Sequence, residues 1–141
     1  MTDKMVDRIT RSFESQSMMK TLGARIHKIE KGKVIIEAPI LPSTLQQQGY
    51  GHAGLTFSIG DSAAGYSALT LLPEGQEVMT AEIKINLLAP ADGELLRAKG
   101  KVVKLGKRLV VVTSEINALK DGKTKLIAII QATMVPVPLK P

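Results

Sequence analysis

Cysteine and tryptophan are both absent from this chain. Without a thiol there is no disulfide scaffold, no thiol nucleophile and no thiolate metal site. Aromatic residues make up only 3% of the sequence, as Phe13, Tyr50, Phe57 and Tyr66, and none lies in a basic run. Nucleic-acid binding draws on basic clusters with stacking aromatics or on a groove-entering element. The net charge of +6 is therefore read as favouring a small anionic partner, with no nucleic acid. The two histidines, His27 and His52, have no nearby carboxylate at ligand spacing, which argues against a metal site. Ser58, Ser62 and Ser67 lack a base at nucleophile-elbow spacing, which argues against a serine hydrolase. Residues Met1 to Arg8 are charged and lack the apolar core of a signal peptide. The apolar stretch Ala53 to Leu72 is long enough to suggest a membrane span. It carries Asp61, hydroxyl residues and glycines, so a buried helix fits it better. We expect a cytoplasmic protein with no membrane partner.

What is present is a hydrophobic content of 44%, built from Ile, Val, Leu, Ala and Met in 141 residues. This is enough for one globular domain, residues 1–141, with a real core. Met5, Val6, Ile9 and Phe13 at helical spacing predict an amphipathic helix over about 3–20, with Asp3 as a candidate N-cap. The core domain spans about 22–136. Ala24 to Ile29 and Lys33 to Ala38 read as two strands joined by Glu30-Lys31-Gly32, and Ser43 to Tyr50 as a polar loop. A helix follows, stopped near Leu72-Pro73-Glu74-Gly75. Val78 to Leu88, Leu95 to Leu105, Leu109 to Leu119 and Leu126 to Val135 read as a meander. Its last hairpin turns at Lys120-Asp121-Gly122-Lys123, and Pro136 and Pro138 finish it. One long helix among five to six antiparallel strands predicts an α+β fold with the helix on one face of the sheet. Gly60, Ala63, Ala64 and Gly65 form a small-residue surface suited to close approach. An open sheet leaves an unpaired edge, which often implies pairing across a dimer.

Asp61 is the only charged residue of that apolar helix. A carboxylate placed among packing residues persists when it is paired, hydrogen-bonded or used. The helix start, Gly51-His52-Ala53-Gly54, offers free N–H groups and a positive dipole end that polarise a carbonyl or hold an anion. From Ala53, Asp61 lies roughly 12 Å further along the axis at 1.5 Å per residue. One chain therefore cannot close both groups on a single reacting carbon. A twofold axis that sets two such helices antiparallel would bring each start beside the partner's acid.

The run Gln46-Gln47-Gln48-Gly49-Tyr50-Gly51-His52-Ala53-Gly54 followed by Asp61 resembles the signature of hotdog-fold acyl-CoA thioesterases. The similarity is to the phenylacetate-degradation (PaaI-like) group of the 4-hydroxybenzoyl-CoA thioesterase superfamily. Gly49, His52, Gly54 and Asp61 match that pattern, and so do the strand Met79 to Leu88 closing in Ala89-Pro90 and the turn Gly106-Lys107-Arg108. The resemblance covers roughly residues 22–135. It implies a hotdog fold, an antiparallel sheet wrapped around one long helix, in homodimers with shared sites that often pair into homotetramers. It also implies cofactor-free hydrolysis of an acyl-CoA, with Asp61 as nucleophile or as general base on a water. The backbone N–H of Ala53, helped by Gly54, would polarise the thioester oxygen, and His52 would shape the helix entry near the sulfur or carbonyl. Gln46 takes the place of the usual Asn, with Gln47 or Gln48 as alternative working amides. Gln48 and Gly49 would line the substrate, and Thr80 matches a position where relatives carry a Ser that orients the attacking water. Lys107 and Arg108 are candidates for the phosphates of coenzyme A, and His27 reads as merely exposed. Two other functions compete. A hotdog enoyl-CoA hydratase pairs its Asp and His about five residues apart, whereas here the spacing is nine. A non-catalytic acyl-CoA binder has no need of a desolvated carboxylate.

Overall fold

The computed structural model describes residues 1–140. Its chain order is α1 (Asp3–Glu14), α2 (Ser17–Thr21), β1 (Arg25–Glu30), β2 (Lys33–Pro39), a 3-10 turn (Pro42–Thr44), α3 (Ala53–Leu69), β3 (Gln76–Leu87), β4 (Leu95–Leu105), β5 (Val110–Lys120) and β6 (Lys123–Pro138). The six strands form one antiparallel sheet in the order β1-β2-β4-β5-β6-β3. The α+β architecture expected from the sequence is the one observed.

The single helix expected over 3–20 is two helices, and its cap is Thr2, not Asp3. The Thr2 hydroxyl accepts from the Met5 N–H at 3.2 Å. The break falls at Ser15-Gln16. There the Ser15 hydroxyl donates to the Arg11 carbonyl at 2.8 Å and Gln16 turns extended, as a side chain that competes for backbone partners does. Ile9 and Phe13 are buried on the inner face of α1, and the Phe13 ring packs on Tyr66 of α3 with centroids 6.2 Å apart. The Arg8 guanidinium ties the helix to the far turn by donating to the carbonyls of Leu72 and Gln76.

The last strand runs further than its hydropathy suggests, through Pro136 and Pro138. Its pairing with β5 ends at Met134, while pairing with β3 continues to Gln76↔Pro138. Proline lacks a donor, and here it stands where one side of the strand is already open. The β5–β6 turn places Asp121 at φ 50° and Gly122 at φ 74°, the two positive values that a tight hairpin needs.

Helix α3 lies on the sheet because glycine lets it. A Cβ on Gly100 of β4 would stand 2.1 Å from the Ala63 carbonyl oxygen, and one on Gly60 would stand 2.5 Å from Ile130 Cδ1. Both helix and strand surfaces are stripped to backbone where they touch. The core closes around that seam with Ile59, Leu69, Leu96, Val112, Ile116 and Met134. Both end strands expose an edge. That of β3 is the longer, twelve residues, with Met79 and Leu87 more than half exposed along the strand.

On the other face of the sheet, Glu37 of β2 is buried at 1% exposure. Arg25 donates to its Oε1 at 2.9 Å and Arg97 to its Oε2 at 2.7 Å. Burial acts to raise the Glu37 carboxyl, but the two arginine hydrogen bonds outweigh it and hold the pKa below the ordinary value. His27 is exposed, as expected from the sequence, but it also has a neighbour that reading did not find, since its Nδ1 lies 3.6 Å from Glu37 Oε1.

Candidate active site

His52 is the N-cap of α3. Its backbone is extended (φ −64°, ψ 144°), its own N–H donates to the Thr44 carbonyl at 2.9 Å, and its Nδ1 accepts from the Gly54 N–H at 2.8 Å. Because Nδ1 accepts, the neutral ring carries its proton on Nε2. A Cβ at residue 54 would stand 3.0 Å from Nδ1, so glycine there is what lets the imidazole fold back over the helix start. The entry to the helix is pinned by Gly51, whose N–H donates to the Ala91 carbonyl at 2.9 Å and which bridges to Leu45 as well.

The Gly54 N–H is thus occupied by His52, and it is the Ala53 N–H that has no acceptor among the described residues. Ala53 lines a cavity of about 460 Å³, together with His52, Gln46, Gln48, Tyr50 and Pro90. Gln46 folds inward, its Oε1 accepting from the N–H groups of Gln48 and Tyr50. It thereby closes the turn at Gly49, which sits at φ 86°. Gln48 lines the cavity and its side-chain amide has no protein partner among the described residues, whereas Gln47 does not line the cavity.

Asp61 lies on a different wall. The Thr80 hydroxyl donates to Asp61 Oδ1 at 2.7 Å, and the pair lines a separate cavity of about 260 Å³ beside Tyr66 and Glu77. The register of β3 slips between Thr80 and Glu82, and such a bulge re-aims a side chain beside a site. Asp61 Oδ2 is left without a partner among the described residues. Nine residues of helix separate His52 from Asp61, about 13 Å along the axis, so the expected groups are not brought together within one chain. Lys107 and Arg108 project from the exposed β4–β5 turn and line neither cavity.

The family model for the thioesterase superfamily matches residues 48–125, more than half of the chain. This chain belongs to the thioesterase superfamily. A thioesterase family protein from Silicibacter pomeroyi is similar in structure at TM-score 0.93 and 38% identity, over 96% of this chain and 99% of that one. The 1,4-dihydroxy-2-naphthoyl-CoA hydrolase of Listeria monocytogenes is 27% identical over 117 residues, 83% of this chain and 93% of that protein. The E. coli PaaI protein from the phenylacetic acid degradation operon shares the fold, with a TM-score of 0.84 at 21% identity over 95% and 94% of the two chains. The fold is the hotdog, and the chain is a thioester hydrolase.

The thioesterase match includes His52, Ala53, Asp61 and Thr80, but neither Gln46 nor any of α1. Reading the sequence did not find the polar neighbours of Asp61. Ser12 and Gln16, from the N-terminal helical segment, line the same cavity and hydrogen-bond to Tyr66, which lies five residues along α3. Ser12 lies in α1 and Gln16 at the α1–α2 break, so no helical spacing in the sequence signals that both meet Tyr66. Among the described residues, no His/Cys/Asp/Glu group could hold a metal ion, and no helix is long and apolar enough to cross a membrane.

Proposed function

We propose that the chain hydrolyses an acyl-CoA thioester at sites shared between two copies, each built from the helix start of one protomer and Asp61 of the other. The observation that carries this is the separation of two half-sites in one chain. A free Ala53 N–H lies in one cavity and a Thr80-held carboxylate in another, in a fold with a twelve-residue strand edge left open beside the acid. Pairing of two β3 edges about a twofold axis would continue the sheet and set the two helices antiparallel. Two such dimers would then make the tetramer. The same reading puts the enzyme in the cytoplasm, where coenzyme A thioesters are made and used.

In such a site the thioester oxygen accepts from the Ala53 N–H at the positive end of α3, where negative charge develops as the carbonyl carbon turns tetrahedral. As a base, Asp61 Oδ2 takes a proton from water while the water oxygen bonds to that carbon. As a nucleophile, the carboxylate bonds first and water cleaves the resulting anhydride. In both routes the C–S bond breaks, the sulfur leaves as the coenzyme A thiolate and takes up a proton, and one water is consumed per acid released. Thr80 fixes the carboxylate so that Oδ2 faces the reacting carbon. The His52 Nε2–H is free to donate to the sulfur or carbonyl, the Gln48 amide holds water or the leaving group, and Lys107 and Arg108 meet the phosphates.

Complementation between two dead variants tests the shared site. Ala53→Pro removes the working N–H, and Asp61→Asn removes the base or nucleophile. If sites are shared, mixed dimers contain one intact site of two. Random mixing of equal amounts after dissociation should then restore about a quarter of wild-type turnover of an acyl-CoA. If each chain carried its own site, every mixed dimer would be dead, and the absence of recovery would overturn the proposal.

A further inference from the structure

Helix α3 buries its large apolar side chains Leu55, Ile59, Tyr66 and Leu69, but Phe57 stays 36% exposed. Ala53, Phe57 and Asp61 follow one another at four-residue steps, each of which turns only about 40° round the helix. All three therefore share a face. Asp61 shows where that face points, because it is held by Thr80 of β3, the edge strand of the sheet. Along this stripe the ring stands between the two half-sites. Ala53 lines one cavity and Asp61 the other, while Phe57 lines neither. Its neighbours on the stripe, Ala53, Gly54 and Asp61, are all smaller.

An antiparallel pairing that sets residue 53 of one helix against residue 61 of the other leaves no freedom at residue 57, which lies four residues from each. Phe57 then faces its own symmetry mate on the twofold axis. We propose that Phe57 is a positioning residue shared by both sites. The two rings meet on the axis and gauge the distance between the helices, so that the Ala53 N–H of one protomer and the partner's Asp61 grip one carbonyl carbon. This rests on the shared-site reading above. The separation of packed helices, about 8–10 Å, is set by the side chains at the contact, and on this stripe the bulk is the phenyl ring. Aromatic pairs pack with centroids about 4.5–7 Å apart, and each ring takes from water the apolar surface that the other exposes. Residue 57 lies about 6 Å along the axis from each reacting carbon, so an error of spacing there is felt equally at both sites. A misplacement of about 1 Å can cost about 10²-fold in rate.

The test adds Phe57→Ala to the complementing pair Ala53→Pro and Asp61→Asn, whose mixed dimer holds a single intact site. Placed on either chain, it should lower the recovered kcat by the same factor, at least about tenfold, with KM little changed. A fall with one placement only would put the ring in one protomer's half-site and off the axis, and no fall with either would leave it without a role. Each overturns the inference. So does a defect that disappears as protein concentration is raised, since the ring would then only hold the dimer together. Cross-linking reads the same geometry without turnover. The chain has no cysteine, so Phe57→Cys introduces a single thiol, at an exposed position. Mild oxidation or a short bis-maleimide should join two protomers through it. In Ser62→Cys the two thiols would stand about 15 Å apart along the axes and should stay unlinked. Failure of the Phe57→Cys protomers to join, where the unmodified pair complements, overturns the inference and leaves the shared site intact. Failure of the unmodified pair to complement would instead defeat the shared-site reading, and this inference with it.

Discussion

Ala53 is the residue on which the chemistry can be separated from the fold. It is the first residue of α3, a position where an N–H has no intrahelical use and where proline is favoured. The preceding His52 already has the extended backbone (φ −64°, ψ 144°) that a following proline requires. Ala53→Pro should therefore keep the helix, its histidine cap and the melting temperature, while removing the one free donor at the helix start. We expect kcat to fall about 10²- to 10³-fold, the cost of losing one oxyanion donor, against little change in Tm. Asp61→Asn should behave alike, because Asn still offers an oxygen to the Thr80 hydroxyl. Its turnover should fall about 10²- to 10⁴-fold, as for a lost acid–base group. A loss of folded protein in the Asn variant, followed by circular dichroism, would show that the carboxylate was a structural partner and not the working acid.

Elements show where the sequence was legible and where it was not. The strand boundaries of β1, β2 and β4 follow directly from alternation bounded by Gly and Pro. The small-residue stripe of α3 announces its tight seam with the sheet, though its partner Gly100 stands alone in β4 and carries no periodic signal. The α1–α2 break was hidden because helical spacing of Met5, Ile9 and Phe13 says nothing about Ser15, whose hydroxyl takes a backbone carbonyl. Glu37 was hidden for a similar reason. A glutamate between Ile36 and Ala38 looks like the solvent side of a strand, and only tertiary pairing brings Arg25 of β1 and Arg97 of β4 onto it. That cluster makes an element-scale prediction. The folded pKa of Glu37 is depressed, so its contribution to stability is fully present above the unfolded value, roughly 4.3. It is lost as pH falls through the lower folded value. Denaturant unfolding should show stability dropping below about pH 4, with part of that drop absent in Glu37→Gln. Arg97→Ala should destabilise at pH 7 by about 3 kcal/mol, since it strips one partner from a buried charge.

For the whole molecule, the two candidate half-sites could be proposed from the sequence because the helix start and Asp61 are local features of one segment. Their distance along one helix was also legible. The cavity beside Asp61 was not, because its lining comes from the N-terminal helical segment, α3 and β3, which only folding brings together. Charge is the property that acts at this scale. The chain carries +6, and coenzyme A is a polyanion through its phosphates, so encounter should be steered electrostatically. With a Debye length of about 10 Å at 0.1 M salt, this steering fades as ionic strength rises. The exposed turn carrying Lys107 and Arg108 lies outside both cavities and can act on phosphates without touching the reacting carbon. Raising salt should therefore lower kcat/KM while kcat at saturating substrate stays level. A Lys107→Ala, Arg108→Ala variant should start from a higher KM and show a shallower salt dependence, at unchanged kcat. If its salt slope matched wild type, that turn would be only a charged hairpin, and the phosphates would have to be held by other cations.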